Sequence, residues 1–148
     1  MNNDLLKKLR EETGASIALL RKALLEAGDD EVKAREVLAK LGNDAAAKKE
    51  SRETNAGRIE AYIHGGSGVG VLLELRSETD FVSRNEDFAK LAHEVAMHIA
   101  AMKPSSVDEL MTQAYIKNPS QTVADLIGTS SATFGERIVI RQFVRYEL

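Results

Sequence analysis

The sequence predicts an α+β protein: a small bundle of helices, a linker, and a β-sheet with helices on one face. Three observations predict it. Apolar residues recur three and four apart through the first 40 residues, alternate with polar ones in two runs between 57 and 77, and alternate again over the last 13. Between the second and third alternating runs lies a long three-and-four pattern, Phe88 to Met102, suited to crossing a sheet.

Taken in order, Leu5, Leu6 and Leu9 fall on one helical stripe over residues 4–12, and Thr13-Gly14 breaks it. Ser16 can cap a second helix carrying Leu20, Leu24 and Ala27, which Gly28 ends. Asp29 or Asp30 can cap a third carrying Val32, Leu38 and Leu41, which Gly42 ends. Helices of about three turns are marginal alone, so the three must pack together, and residues 1–42 form a domain near the lower size limit for independent folding. Over 43–56, "NDAAAKKESRETNA", periodicity disappears and charge dominates, which reads as a linker, helical in part through its alanines.

The domain 57–148 opens with "GRIEAYIH", which places Ile59, Ala61 and Ile63 on one face. After "GGSG", the run "VGVLLELRS" alternates Val69, Val71, Leu73 and Leu75, so the two runs make a hairpin. Asn85 caps the long helix, whose buried face is Phe88, Leu91, Ala92, Val95, Ile99 and Met102, and Pro104 stops it. Residues 105–121 read as irregular, with a turn of helix at "VDELM". Thr122 caps a short helix in "TVADLIGTSSATF", and "ERIVIRQFVRYEL" returns as a strand with Ile138, Ile140, Val144 and Tyr146 on one side.

Composition excludes several functional classes. There is no cysteine, which removes disulfides and thiolate metal sites and leaves a cytoplasmic home as the simplest reading. The N-terminus lacks the apolar core of a signal peptide, and no window approaches a membrane span. Residues 1–58 carry 12 Lys+Arg against 11 Asp+Glu, and residues 59–148 carry 8 against 12. Neither half has the surplus of cations that neutralising phosphates requires, and aromatic residues are only 5% of the chain, so a nucleic-acid surface is not indicated. A protein partner fits better.

Two motifs invite chemistry and do not support it. The glycines of "HGGSGVG" lead into a strand rather than a helix, and no Gly-Lys-Ser/Thr follows, so they read as a hairpin turn using positive φ. "HEVAMH" separates His93 from His98 by five residues, one more than two ligands on a helix face need; the step turns the second ring by about 140°. These read as surface or half-buried histidines, and neither a metal site nor a cofactor site is expected. No Ser or Thr has a base and an orienting group in its sequence context, so no catalytic residue is expected and the chain is not read as an enzyme.

"SETDFVSRN" is different. A short strand-to-helix connection normally runs over the surface in polar residues, yet this one holds Phe81 beside Asp80. Two readings stand on physics alone. The ring folds back as a staple on the new helix, or it projects as an apolar anchor worth about 1.5–3 kcal/mol in a partner's pocket.

"TDFVSRN" resembles the signature of bacterial elongation factor Ts, the nucleotide exchange factor of the GTPase elongation factor Tu. "LLKKLREETGASIALLRKAL" looks like that family's N-terminal domain, and "TVADLIGTSSATFGERIVIRQFVRYEL" is similar to its last helix and strand; the three occur in the family's order and span nearly the whole chain. The resemblance implies a three-helix ubiquitin-associated-like (UBA-like) domain over 1–42, a linker over 43–56, and a core over 57–148 built on a three-stranded antiparallel sheet packed by helices. It implies that Thr79, Asp80, Phe81 and Val82 enter the GTPase domain of elongation factor Tu, the ring wedging between helices and the acid disturbing the Mg²⁺ site. It implies that the turn Thr13, Gly14, Ala15 and Ser16, with the helix after it, grips the GTPase near the nucleotide base. Family members usually carry a longer helical stretch between the core helix and the final helix than residues 103–121 supply. Short members pair, so a homodimer is expected, with the last strand or residues 103–121 at the contact. The competing reading is a UBA-type interaction adaptor without exchange activity, although Gly14 is followed here by Ala15-Ser16 rather than by the apolar or aromatic residue such adaptors offer.

Overall fold

The computed structural model describes the backbone of residues 2–148, and the side chains of all of these except 43, 45–47 and 49. The chain divides into two compact units, one ending at Arg52 and the other running from Glu53 to Leu148.

The first unit is three helices. α1 (Asn3–Thr13) is capped by Asn2, whose side chain accepts from the Asp4 and Leu5 amides, and Gly14 closes it at φ 66°. α2 (Ile17–Ala27) is capped by Ser16 and closed by Gly28. Asp30 accepts from the Lys33 amide and starts α3 (Glu31–Lys49). Leu5, Leu9, Leu20, Ala23, Leu24, Ala27, Ala34 and Leu38 form its buried core. Two expectations are corrected. The third helix does not end at Gly42 but continues to Lys49, because one helical glycine costs only about 1 kcal/mol and the alanines after it favour helix. Val32 lies on the outer side of α3, 67% exposed; the inward stripe is Ala34, Val37, Leu38 and Leu41.

The second unit is a three-stranded antiparallel sheet with helices on one face. β1 (Ala56–Ile63) pairs with the central strand β2 (Val69–Ser77), and β2 pairs with β5 (Val139–Glu147). Gly66 and Ser67, both at positive φ, turn the hairpin. After β2 come a short helix α4 (Asp80–Ser83) and the long α5 (Glu86–Met102), capped by Asn85. In residues 105–121 the turn of helix expected at "VDELM" forms, but the remainder is not irregular. These residues hold α6 (Val107–Thr112) and a small hairpin, β3 (Ala114–Tyr115) with β4 (Asn118–Thr122), leading into α7 (Val123–Phe134). Leu110 and Tyr115 anchor this segment by being buried.

Val71, Leu73 and Leu75 of β2 point at α5, whose buried face is Phe88, Leu91, Ala92, Val95 and Ile99; Met102 is 43% exposed at the helix end. The last strand departs from strict alternation. Glu74 faces Gln142 while Leu75 faces Ile140, so Arg141 is an extra residue in β5, a bulge. Before it Ile138 and Ile140 point inward; after it Phe143 and Arg145 do, and Val144 and Tyr146 turn to solvent. The Ile59, Ala61 and Ile63 face of β1 is also outward. Among the described residues no helix is long and apolar enough to cross a membrane.

Candidate functional site

The segment from Ser77 to Asn85 is organised by Thr79. The strand ends at Ser77, which is buried and donates its hydroxyl to the Thr79 carbonyl at 3.0 Å. Thr79 is extended (φ −125°, ψ 156°) and caps α4, its hydroxyl accepting from the Val82 amide at 3.5 Å. The first-turn position of Asp80 is favourable for an acid at a helix N-terminus. The turn closes through the Ser83 amide on Thr79 and the Arg84 amide on Asp80, and α5 begins directly after it.

Within this turn Val82 packs against the core while Phe81 stands 90% exposed. The inward place that a stapled ring would take belongs to the valine. One face of a four-residue helix points in and the next residue points out, so the sequence order Phe-Val projects the larger side chain into solvent.

The N-terminal turn is built by its own caps. The Thr13 hydroxyl donates to the Leu9 carbonyl at 2.5 Å and accepts from the Ala15 amide at 3.3 Å. Gly14 takes the left-handed conformation, Ala15 leans on the helical core, and Ser16 accepts from the Leu19 amide. Thr13–Ser16 and Thr79–Val82 thus belong to separate compact units.

The expectation of surface or half-buried histidines holds for one ring and fails for the other. His93 is exposed, with Glu60 3.8 Å away, but His98 is fully buried. Its Nε2 pairs with the Gln113 side chain at 2.9 Å and its Nδ1 accepts from the Ile116 amide at 3.2 Å, which places the ring proton on Nε2. The ring holds residues 113–116 to α5. Nearby, Glu94 accepts from the Tyr115 hydroxyl at 2.7 Å and pairs with Lys117 at 2.6 Å; burial and the carboxylate beside it push the Tyr115 phenol well above its ordinary range.

Residues that the sequence did not single out also meet at the Thr79 turn. Glu136, just past α7, accepts from the Thr79 amide at 3.0 Å and from its hydroxyl at 2.7 Å. Glu78 in return accepts from the Arg137 amide at 2.6 Å. The partners are 57 and 59 residues apart, so no local pattern could have paired them.

Fold and site together define a class: a two-unit α+β protein whose sheet unit presents an exposed Asp-Phe pair on a capped turn. The family model described as elongation factor TS matches residues 1–109 and 78–148. Elongation factor Ts of Rubrobacter xylanophilus is 37% identical over 188 residues, covering 97% of this chain and 96% of the relative. That of Carboxydothermus hydrogenoformans is 37% identical over 193 residues, covering 100% and 89%, and that of Acetivibrio thermocellus 37% over 189, covering 97% and 88%. The chain belongs to the elongation factor Ts family, the nucleotide exchange factors of elongation factor Tu. The 193 positions of the Carboxydothermus alignment against the 148 residues here leave 45 at which this chain has no counterpart.

Proposed function

We propose that this chain promotes GDP release from elongation factor Tu in the cytoplasm by inserting Thr79–Val82 into the GTPase domain. Phe81 acts as the wedge and Asp80 as the charge that disturbs the Mg²⁺ site, while Thr13–Ser16 and the start of α2 dock the N-terminal domain near the nucleotide base. The observation that carries this reading is the 90% exposure of Phe81 beside Asp80, in a member of the family. Leaving a ring in water has a cost that burial in a partner removes.

Mg²⁺ bridges phosphate oxygens to protein ligands and offsets their charge, so disturbing its shell weakens nucleotide binding without breaking a covalent bond. Linkage then requires that nucleotide loosen the factor by the same ratio by which the factor loosens nucleotide. Each tenfold of acceleration at unchanged association needs about 1.4 kcal/mol of preference for the nucleotide-release state. The test is release of labelled GDP from elongation factor Tu with and without this protein. Unstimulated release in the presence of stable binding would favour an adaptor instead.

We further propose that the protein acts as a homodimer joined through the outer face of its sheet. Directly opposed residues form the rows Ala61, Leu72, Val144 and Ile63, Gly70, Tyr146, with Ile59 beside them. Ile59, Ile63 and Tyr146 are all more than 60% exposed.

A further inference from the structure

We infer that Glu136 is a positioning residue for the exchange loop: its carboxylate clasps Thr79 and so aims Phe81. The inference rests on the proposed role of Thr79–Val82 and adds to it a residue from the far end of the domain.

A ring with nine-tenths of its surface in water takes its direction from the backbone beneath it. That backbone is a helix of four residues, far below the length at which a helix holds itself together. Something outside the helix must fix its first residue. Every polar atom of Thr79 is engaged: the carbonyl accepts from the Ser77 hydroxyl and the Ser83 amide, the hydroxyl accepts from the Val82 amide, and the amide and hydroxyl both donate to Glu136. The two bonds to Glu136 are the ones that leave the local segment, and their carboxylate acceptor makes them charge-assisted and strong.

Glu136 is itself held. It follows Gly135, which ends α7 at φ 71°, and its carbonyl accepts from the Ser131 hydroxyl at 2.6 Å. The reciprocal bond from the Arg137 amide to Glu78 doubles the tie, so the entrance of α4 is fixed against the α7–β5 turn at two successive residues, Glu78 and Thr79. Because the clasp orders the loop before any partner arrives, it lowers the ordering entropy of insertion. Its loss is felt in the maximal rate of stimulated release, while docking through the N-terminal unit sets the concentration needed.

The experiment compares Phe81→Ala, Glu136→Ala and Glu136→Gln in the full chain, measuring labelled GDP release from elongation factor Tu over a range of factor concentrations. Amide hydrogen exchange of the free protein is followed at Thr79 and at Leu73, in the centre of β2. Glu136→Ala should lower the maximal stimulated rate about tenfold and leave the half-saturating concentration within about twofold. Glu136→Gln keeps an oxygen for the Thr79 amide and an N–H for its hydroxyl, and should restore most of the rate. In Glu136→Ala the Thr79 amide should lose protection while Leu73 keeps it. If Leu73 loses protection too, Glu136→Asp, which withdraws the carboxylate by one methylene, takes the place of the alanine variant. A wild-type maximal rate in Glu136→Ala, or in Glu136→Asp where it takes that variant's place, alongside a slow Phe81→Ala protein, overturns the clasp and leaves the loop reading intact. Wild-type release by Phe81→Ala overturns both.

Discussion

At the scale of single residues, one side chain is displayed and another is hidden. Phe81 has almost no packing to lose, so Phe81→Ala should leave the thermal unfolding midpoint near wild type. It should slow stimulated GDP release about ten- to a hundredfold, the kinetic equivalent of 1.5–3 kcal/mol of lost burial. Asp80→Ala should slow it less. Unchanged release in both variants at saturating factor would remove this loop from the mechanism. His98 is the opposite case. His98→Ala leaves the Ile116 amide and Gln113 without their partner and opens a void, so it should destabilise the core by about 2–4 kcal/mol. Denaturant unfolding checks this, and a loss under about 1 kcal/mol would show that water substitutes for the ring. The Asp-Phe pair was legible because it breaks the rule for a short surface connection. His98 was not, because five-residue spacing excludes shared ligation with His93 but says nothing of which ring faces inward.

At the scale of elements, legibility follows the range of the deciding interaction. The caps Ser16, Asn85 and Thr122 were readable, and that of α3 was narrowed to Asp29 or Asp30, because a cap bonds within three residues. The bulge at Arg141 was not, since it exists only as a mismatch with a strand some 70 residues earlier. The hairpin at 114–122 was equally hidden: its two strands are short, and it is held by Glu94 and His98 of another helix. The cap of α7 yields a pH prediction. Asp125 accepts the backbone N–H of Thr122 and interacts with its hydroxyl, which holds the carboxyl below its ordinary value. A depressed folded value means that the capping contribution is complete above the ordinary aspartate value, about 3.9, and is lost as pH falls through the folded value. Protection of the Thr122 amide, corrected for intrinsic exchange, should therefore hold from neutrality to about pH 4 and decline below it. Protection that stays constant through that range would mean the capping box does not depend on the charge.

At the scale of the whole molecule, each unit has its own buried cluster, so a chain beginning at Glu53 should fold and keep its sheet. If the N-terminal domain is the docking arm, that shorter chain should need a much higher concentration to stimulate exchange; undiminished affinity would reject the arm. The sheet unit poses a second question, because helices cover one face and the other is open. That open face is not polar: Leu72 sits at its centre on the middle strand, flanked by Ala61 and Val144, with Ile59, Ile63 and Tyr146 around them. A shallow groove between Ile59, Leu72, Glu74, Gln142 and Val144 runs across it. An antiparallel sheet tolerates one wet face when that face carries polar residues, and here Glu74, Arg76, Arg141 and Gln142 gather at one end of it and leave the other end apolar. Sheet-on-sheet packing of two copies brings the apolar rows together about 10 Å apart. A two-fold arrangement leaves each Thr79–Val82 turn free, since that turn lies beyond the end of β2. The proposed contact is through the last strand rather than residues 103–121, whose Leu110 and Tyr115 are committed inward. Sedimentation at micromolar concentration should give about twice the 16.2 kDa chain mass, and Leu72→Lys, which puts a charge at the centre of the contact, should return it to that of one chain. A wild-type mass near 16.2 kDa at high concentration would reject the dimer and assign the exchange activity to a single core.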